Sequence, residues 1–186
     1  MRQLSNAIGV DDAPHTRGSG RVPIVGVVTS RTRVDGIAVG HVRRDGRNAT
    51  QRIAELVSES PFIDHVQVVL LQGITFGGFN VVDLPRLHDM LGRPVVAVVR
   101  RRPHLKRIRA ALLEQVPGGR RKWELVQRAG PLEPVGGVFV QRAGLSLEEA
   151  VRLLASTTQH GKLPEPLRIA HLVAGALVTG SSHGGA

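Results

Sequence analysis

Apolar and polar positions follow two different periods along the first third of the chain. Residues 4–10 are mostly apolar and predict a first strand. Residues 22–32 and 36–42 alternate loosely, and the Asp35-Gly36 pair between them is a typical hairpin turn. The pattern therefore predicts three strands in antiparallel order.

The period then changes, and helices alternate with short apolar runs. Residues 49–58 have helical spacing with Asn48 as a plausible N-cap, and the apolar, β-branched run at 66–71 predicts a buried strand. Next come a helix over 84–91 that ends at Gly92, a buried strand over 94–99 and a basic helix over 103–116. A flexible joint at 117–121 is followed by two strands within 123–140. The last elements are a helix from Ser146 with Glu149 as its capping-box partner, a helix over 164–177 and a flexible tail at 179–186.

Three hairpin-ordered strands, a helix, and two parallel strands separated by a helix form the order of the ribonuclease H-like fold. We therefore predict an α/β protein with a ribonuclease H-like mixed sheet, three antiparallel strands followed by parallel strands, flanked by helices. At 186 residues the chain fits a single domain spanning 1–186.

Charge and composition favour some classes of partner and exclude some kinds of site. The 25 Lys and Arg against 15 Asp and Glu give a net charge of +10, which favours nucleic acid as a partner. Arginine bias in a GC-rich genome is the alternative explanation for this charge, although the basic residues within 100–109 and 120–122 are denser than that bias suggests.

The absence of cysteine excludes disulfides, thiolate zinc sites and thiol catalysis. No segment is typical of a signal peptide or a membrane span, which predicts a cytoplasmic protein.

Polar residues stand where the predicted strands end. Asp11 and Asp12 follow the first strand, Asp45 follows the third, and Gln72 follows the run at 66–71. In the predicted sheet, Asp11 and Gln72 lie side by side, and carboxylates clustered there would hold Mg²⁺ or Mn²⁺ for phosphodiester hydrolysis. The candidate metal ligands are Asp11, Asp12 and Asp45, and the candidate catalytic residues are Asp11, Asp45 and Gln72.

The glycine-rich segment after Gln72 has two interpretations. Thr75 and Asn80 lie beyond the carboxyl end of a strand, where ligands bind in open α/β sheets, and are candidate nucleic-acid contacts. Alternatively, the segment is a plain connection in which Asn80 and Asp83 serve as turn and cap residues.

Several segments resemble a known family. They are residues 9–12 (GVDD), Asp45-Gly46 with Ala49-Thr50, residues 70–80 (LLQGITFGGFN), residues 94–100 (PVVAVVR) and residues 164–171 (PEPLRIAH). They span most of the chain and are similar to domain-of-unknown-function family 99, which is related to endonuclease V.

The resemblance implies a ribonuclease H-like fold and, for endonuclease V itself, Mg²⁺-dependent strand cleavage near deaminated bases. Asp11 would match the first metal carboxylate, and Asp45 would stand near a glutamate ligand. Arg100 would take the place of a basic residue that ends the corresponding strand of endonuclease V. Arg168 would match the arginine of a His-Arg pair near the C-terminus of that enzyme. Both arginines are candidate phosphate contacts.

Two positions depart from this resemblance. Gln72 stands where both families usually carry an aspartate, and Leu167 stands where endonuclease V has the histidine of the His-Arg pair. A neutral amide weakens a site whose affinity depends on charge. His171, one turn after Leu167, is either a substitute base or an ordinary helix residue. Two functions therefore stay open: a metal-dependent nuclease, with Gln72 as a weak ligand or substrate contact, and a catalytically inactive nucleic-acid-binding or regulatory protein. A homodimeric interaction protein is a more distant third.

Overall fold

The computed structural model describes residues 4–16 and 18–183. The elements are β1 (Asn6–Asp12), β2 (Arg21–Ser30), β3 (Arg33–Arg43), α1 (Ala49–Ser58), β4 (Val68–Gln72), β5 (Thr75–Phe76), β6 (Asn80–Val81), α2 (Leu84–Leu91), β7 (Val95–Val99), α3 (Leu105–Gln115), α4 (Gly119–Arg128), β8 (Glu133–Val135), β9 (Val138–Ala143), α5 (Leu147–Thr157) and α6 (Glu165–Thr179). Part of the predicted tail, 184–186, lies outside the described residues.

One mixed sheet of seven strands organises the fold, in the order β3-β2-β1-β4-β7-β9-β8. β1, β2 and β3 pair antiparallel, whereas β4 pairs parallel with both β1 and β7. β9 and β8 extend the other side in antiparallel order. The predicted order of three antiparallel strands followed by parallel strands is confirmed, and β5 and β6 form a separate small hairpin.

Helices cover both faces of the sheet because strand side chains alternate between the faces. Ile8 and Leu71 pack in the cluster that includes α1 and α2 residues such as Ile53 and Leu87. Leu70 packs on the other face with Leu167 of α6. Among the described residues, no helix has the length and apolar character needed to cross a bilayer.

The first hairpin turns earlier than predicted. The two-residue turn is Arg31-Thr32, with Arg31 in the left-handed region at φ 55°, and β3 runs through Asp35-Gly36. Gly36 instead makes room for an aromatic ring, since a β-carbon there would lie 2.1 Å from the Phe62 ring. The interpretation of the Asp-Gly pair as a turn was therefore wrong.

Residues 119–128 form a helix, so the prediction of a flexible joint at 117–121 was wrong. The two strands predicted within 123–140 correspond to β8 and β9, which begin only at Glu133. Gly118, at φ 71°, precedes α4. Gly119 lets α4 approach the backbone of α3, since a β-carbon on Gly119 would lie 1.7 Å from the Leu112 carbonyl oxygen. Lys122 and Val126 are buried side chains of α4 at helical spacing. Because most residues of this segment are polar, the helical spacing of its buried positions is not evident from the sequence.

Candidate functional site

The carboxylate of Asp11 contacts His171 at the carboxyl end of β1. Asp11 is only 4% exposed, and its Oδ2 lies 2.8 Å from the Nδ1 of His171 on α6. Its Oδ1 accepts a hydrogen bond from the Asp12 N–H at 2.9 Å. The His171 side chain is 48% exposed, so the pair joins a buried carboxylate to a ring that solvent can reach.

The two members of this pair affect each other's protonation. Burial raises the pKa of Asp11, and the hydrogen bonds from His171 and Asp12 only partly offset that effect. The contact with Asp11 raises the pKa of His171, while burial and the charge of Arg100 act in the opposite direction. The imidazole therefore retains a proton more readily than a free histidine does.

Asp12 points away from this pair, since neighbouring side chains on a strand face opposite sides of the sheet. Its Oδ2 accepts a hydrogen bond from the Gly77 N–H at 2.9 Å and lies 3.7 Å from His15 Nδ1. Burial, with a further contribution from the charge of Asp11, raises the pKa of Asp12 to about 6. The prediction that Asp12 is a metal ligand stays a prediction, and the visible role of its carboxylate is to hold residue 77.

Asp45 holds the same turn from the end of β3. Its Oδ1 accepts a hydrogen bond from the Phe79 N–H at 2.8 Å, and its own N–H donates to the Gly77 carbonyl oxygen. A β-carbon on Gly78 would lie 2.4 Å from Asp45 Oδ1, so only glycine fits there. Asp12 and Asp45 thus brace the turn at 77–79 from two different strands, and the predicted catalytic role of Asp45 stays untested.

Gln72 lies next to Asp11 in the sheet. The parallel register pairs Val10 with Leu71, which places the following residues side by side and on the face covered by α6. Gln72 Oε1 is buried and has no hydrogen-bond partner among the described residues. A buried oxygen without a donor is unfavourable unless something else contacts it, so this atom fits a hard cation.

The donor set for such a cation is limited. Asp11 contributes one buried carboxylate and Gln72 one neutral oxygen, both of the type that Mg²⁺ and Mn²⁺ bind. Within residues 4–16 and 18–183, no three histidine or acidic side chains are grouped closely enough to share a metal ion. The residues present therefore fit a weak cation site and lack the charge of a three-carboxylate site.

The four candidate nucleic-acid contacts differ in their surroundings. Arg100 is exposed at the end of β7 and close enough to His171 to affect its pKa. Arg168 forms a forked ion pair with the buried Glu165, with Nη2 to Oε2 at 2.7 Å. Thr75 lines a cavity beside Gln72. The phosphate-contact roles of Arg100 and Arg168 and the role of Thr75 stay predictions.

Asn80 has a structural position that does not fit a nucleic-acid contact. It is fully buried. Its Oδ1 accepts a hydrogen bond from the Ala49 N–H, and its Nδ2 donates to the Arg43 carbonyl oxygen and to Asn48 Oδ1. It therefore caps α1 from β6, while the side chain of Asn48, the predicted cap, makes no capping hydrogen bond. This corrects the prediction for Asn80 in favour of the turn-and-cap alternative.

A cavity of about 420 Å³ opens beside Gln72. Its walls are mostly apolar and include Trp123, Ile108 and Val99, with Gln141 among the polar residues. It lies at the carboxyl ends of β4 and β7, between the sheet and the α3–α4 pair. Sequence reasoning missed this cavity because α4 was not recognised as a helix.

His171 is the functional candidate that the sequence indicated only weakly. It stands four residues after Leu167, which is fully buried in the core. The i, i+4 spacing placed both on one side of α6, but the sequence alone did not show that this side reaches Asp11.

Two known proteins are similar to this chain over nearly its whole length. A UPF0215 protein of Deinococcus radiodurans is 52% identical over 183 residues, covering 98% of this chain and 93% of that protein. The crystal structure of a protein of unknown function from Archaeoglobus fulgidus has a TM-score of 0.88 at 33% identity, covering 94% of this chain and 98% of that one.

A more distant similarity confirms the predicted fold. Endonuclease V of Ciona intestinalis, solved with a 24-mer DNA containing an inosine followed by a ribo-adenosine, has a TM-score of 0.58 at 15% identity. The similarity covers 90% of this chain and 83% of that protein. The family model of endonuclease dU matches residues 3–178, and this chain therefore belongs to the endonuclease dU family.

Proposed function

We propose that this protein is a divalent-metal-dependent endonuclease that cuts nucleic acid beside a deaminated base. The observation that carries the proposal is the buried Asp11 carboxylate, held 2.8 Å from His171 and adjacent in the sheet to the unpartnered Gln72 oxygen. The family name supports deoxyuridine in DNA as the substrate. The similarity to an endonuclease V that binds inosine-containing DNA supports the same reaction class.

Each residue of the site has a separate role in the proposed reaction. Asp11 and Gln72 would hold Mg²⁺ or Mn²⁺, which supplies charge to stabilise the phosphodiester and its leaving oxygen. Asp11 orients the His171 ring through Nδ1, so that Nε2 of this half-exposed ring would hold or release a proton. Arg100, close to His171, attracts the phosphate to the same place.

The large apolar cavity supports selection of a single base. An enzyme that recognises a base within a duplex takes it out of the stack and binds it in a pocket with apolar walls and a few hydrogen-bonding groups. The cavity beside Gln72 offers Trp123 as an aromatic wall and Gln141 as an amide. Gln72 lines this cavity and also lies beside Asp11 in the sheet.

The test compares DNA duplexes that differ only in one deoxyuridine or thymidine, with inosine and RNA versions as further substrates. We expect a strand break near deoxyuridine that requires Mg²⁺ or Mn²⁺ and falls by about 100-fold or more in Asp11→Asn. Asp64→Asn is the matched control, because Asp64 is exposed and precedes β4, at the opposite end of that strand from Gln72. Activity that survives chelation or the Asp11 change would refute the proposal.

The neutral Gln72 favours a second candidate, a nucleic-acid-binding or regulatory protein without catalysis. This candidate predicts salt-sensitive binding that does not change with EDTA. Calorimetric titration of Mn²⁺ into the wild type and Gln72→Asp separates the two. Micromolar binding by the wild type favours the nuclease, whereas binding only after aspartate is restored favours the inactive protein.

A further inference from the structure

A second, smaller cavity lies on the other side of α4, near the amino ends of α1, α2 and α4. Its volume is about 130 Å³, roughly four times that of a water molecule. Four basic residues line it, namely Arg47, Arg86, Arg121 and Lys122, together with one acid, Asp83. A small cavity with this lining is suited to a compact anion.

The charges around the cavity are not balanced within the protein. Asp83 is already paired with Arg128, whose Nη1 lies 3.0 Å from its Oδ2, and it also caps α2. Among the described residues, the guanidinium groups of Arg47, Arg86 and Arg121 have no acidic partner within ion-pair distance. Three cations that line one concave site attract an anion to it.

Lys122 is held in place, and Arg47 lies beside the turn that precedes α4. Lys122 is 3% exposed, and its Nζ donates a hydrogen bond to the Asp45 carbonyl oxygen at 2.6 Å. The guanidinium of Arg47 lies over Gly118, where a β-carbon would come within 3.2 Å of it. Arginine binds phosphate and carboxylate oxygens in pairs through its planar fork. The oxygens of a phosphate are arranged as a tetrahedron rather than in one plane, so several guanidinium groups around a cavity can contact them at once.

We infer that the cavity lined by Arg47, Arg86 and Arg121 binds one phosphate group. Its source is the backbone of the nucleic acid on which the proposed function rests, and free phosphate is the other source of the same chemistry. The site is separate from Asp11, but the two are linked through Lys122, Asp45 and the turn at 77–79. A strand anchored here would be held on the opposite side of α4 from the large apolar cavity.

The experiment compares two triple variants with the same loss of charge. The cavity variant carries Arg47→Gln, Arg86→Gln and Arg121→Gln. The control carries Arg31→Gln, Arg33→Gln and Arg152→Gln, at the first hairpin and on α5. Affinity for a fluorescent oligonucleotide is measured by anisotropy over a series of salt concentrations, and inorganic phosphate is titrated against thermal unfolding at constant ionic strength.

We expect the cavity variant to lose about tenfold or more in affinity and about one unit of the salt slope relative to the control. A saturable rise in Tm on addition of phosphate, absent from the cavity variant, also supports the site. If the oligonucleotide affinity of the cavity variant is unchanged, this rise identifies free phosphate as the ligand. Equal behaviour of the two variants in both assays would overturn the inference.

Cleavage assays on the same variants keep this inference separate from the proposed function. If the wild type cleaves while both variants behave alike in the oligonucleotide assay and in the phosphate assay, the phosphate site is refuted and the nuclease stands. If no cleavage occurs but only the cavity variant loses affinity, the phosphate site stands and the nuclease is refuted.

Discussion

Gly9 of β1 lies against Pro166 of α6 so closely that a β-carbon on Gly9 would be 2.4 Å from the Pro166 carbonyl carbon. The contact is with backbone, which cannot move aside as a flexible side chain would. It sets the distance between β1 and α6 two residues before Asp11 and one turn before His171. The absence of a side chain at residue 9 therefore permits the Asp11–His171 contact.

Gly9→Ala is expected to push α6 away from the sheet. We predict a loss of about 2 kcal/mol or more in the free energy of unfolding, measured by urea denaturation. Gly20→Ala is the matched control, because a β-carbon there meets nothing within 4 Å. Equal stability of the two variants would mean that the close approach of α6 is not required.

The pKa of His171 is expected to lie above the usual 6.5, because the ring donates to Asp11. Asp11→Asn should lower it, since the amide retains an acceptor but carries no charge. Titration of the ring nitrogens by NMR measures both values, with Asp64→Asn as the control. An unchanged His171 pKa in Asp11→Asn would show that the contact is not maintained in solution.

Asp12→Asn is expected to stabilise the protein at neutral pH. The folded pKa of Asp12 is about 6 and the unfolded reference is 3.8, so ionised Asp12 opposes folding above pH 6 by about 3 kcal/mol and this cost vanishes below pH 3.8. The amide retains an acceptor for the Gly77 N–H. Urea denaturation in EDTA should show a gain of about 1–3 kcal/mol at pH 7.5 and a smaller gain at pH 4.5.

The test depends on whether Asp12→Asn raises or lowers the free energy of unfolding at pH 7.5. Asp64→Asn, at an exposed position, should leave stability unchanged at both pH values. A destabilised Asp12→Asn protein at pH 7.5 would mean that the negative charge itself is needed to hold the turn at 77–79.

Asn80→Ala is expected to destabilise the protein by about 2–4 kcal/mol, because it leaves the Ala49 N–H and the Arg43 carbonyl oxygen without their partner. Gln51→Ala, on the exposed side of α1, is the control for the helix. Thermal and urea unfolding measure the effect. A stable Asn80→Ala protein with reduced nucleic-acid affinity would restore the prediction of a direct contact.

Much of the fold could be predicted because its strands are continuous apolar runs. The runs that became β1, β4 and β7 and the capping box of Ser146 and Glu149 are short-range signals, and the structure contains each of them. α4 was missed because Gly119 and Lys122 occupy two of its three buried positions. Those residues are buried by contacts with α3 and Asp45 that no local pattern reports.

The candidate site was less predictable for the same reason. The sequence placed Asp11 beside Gln72, because parallel strands align their carboxyl ends. The partners of the other side chains depend on long-range packing: His171 reaches Asp11 across 160 residues, and Asn80 reaches Ala49 across 31. An asparagine after a glycine-rich turn looks the same in sequence whether it binds a ligand or caps a helix.

The bracing of the turn at 77–79 bears on how related sequences are interpreted. Gly78 is required because Asp45 Oδ1 occupies the space of its side chain, and this requirement is independent of any metal or substrate. A relative that has lost all catalytic activity would still need Gly78 for as long as Asp45 holds the turn. The presence of Gly78 in a sequence therefore indicates an intact turn, whereas the residues at 11 and 72 are the ones that bear on catalysis.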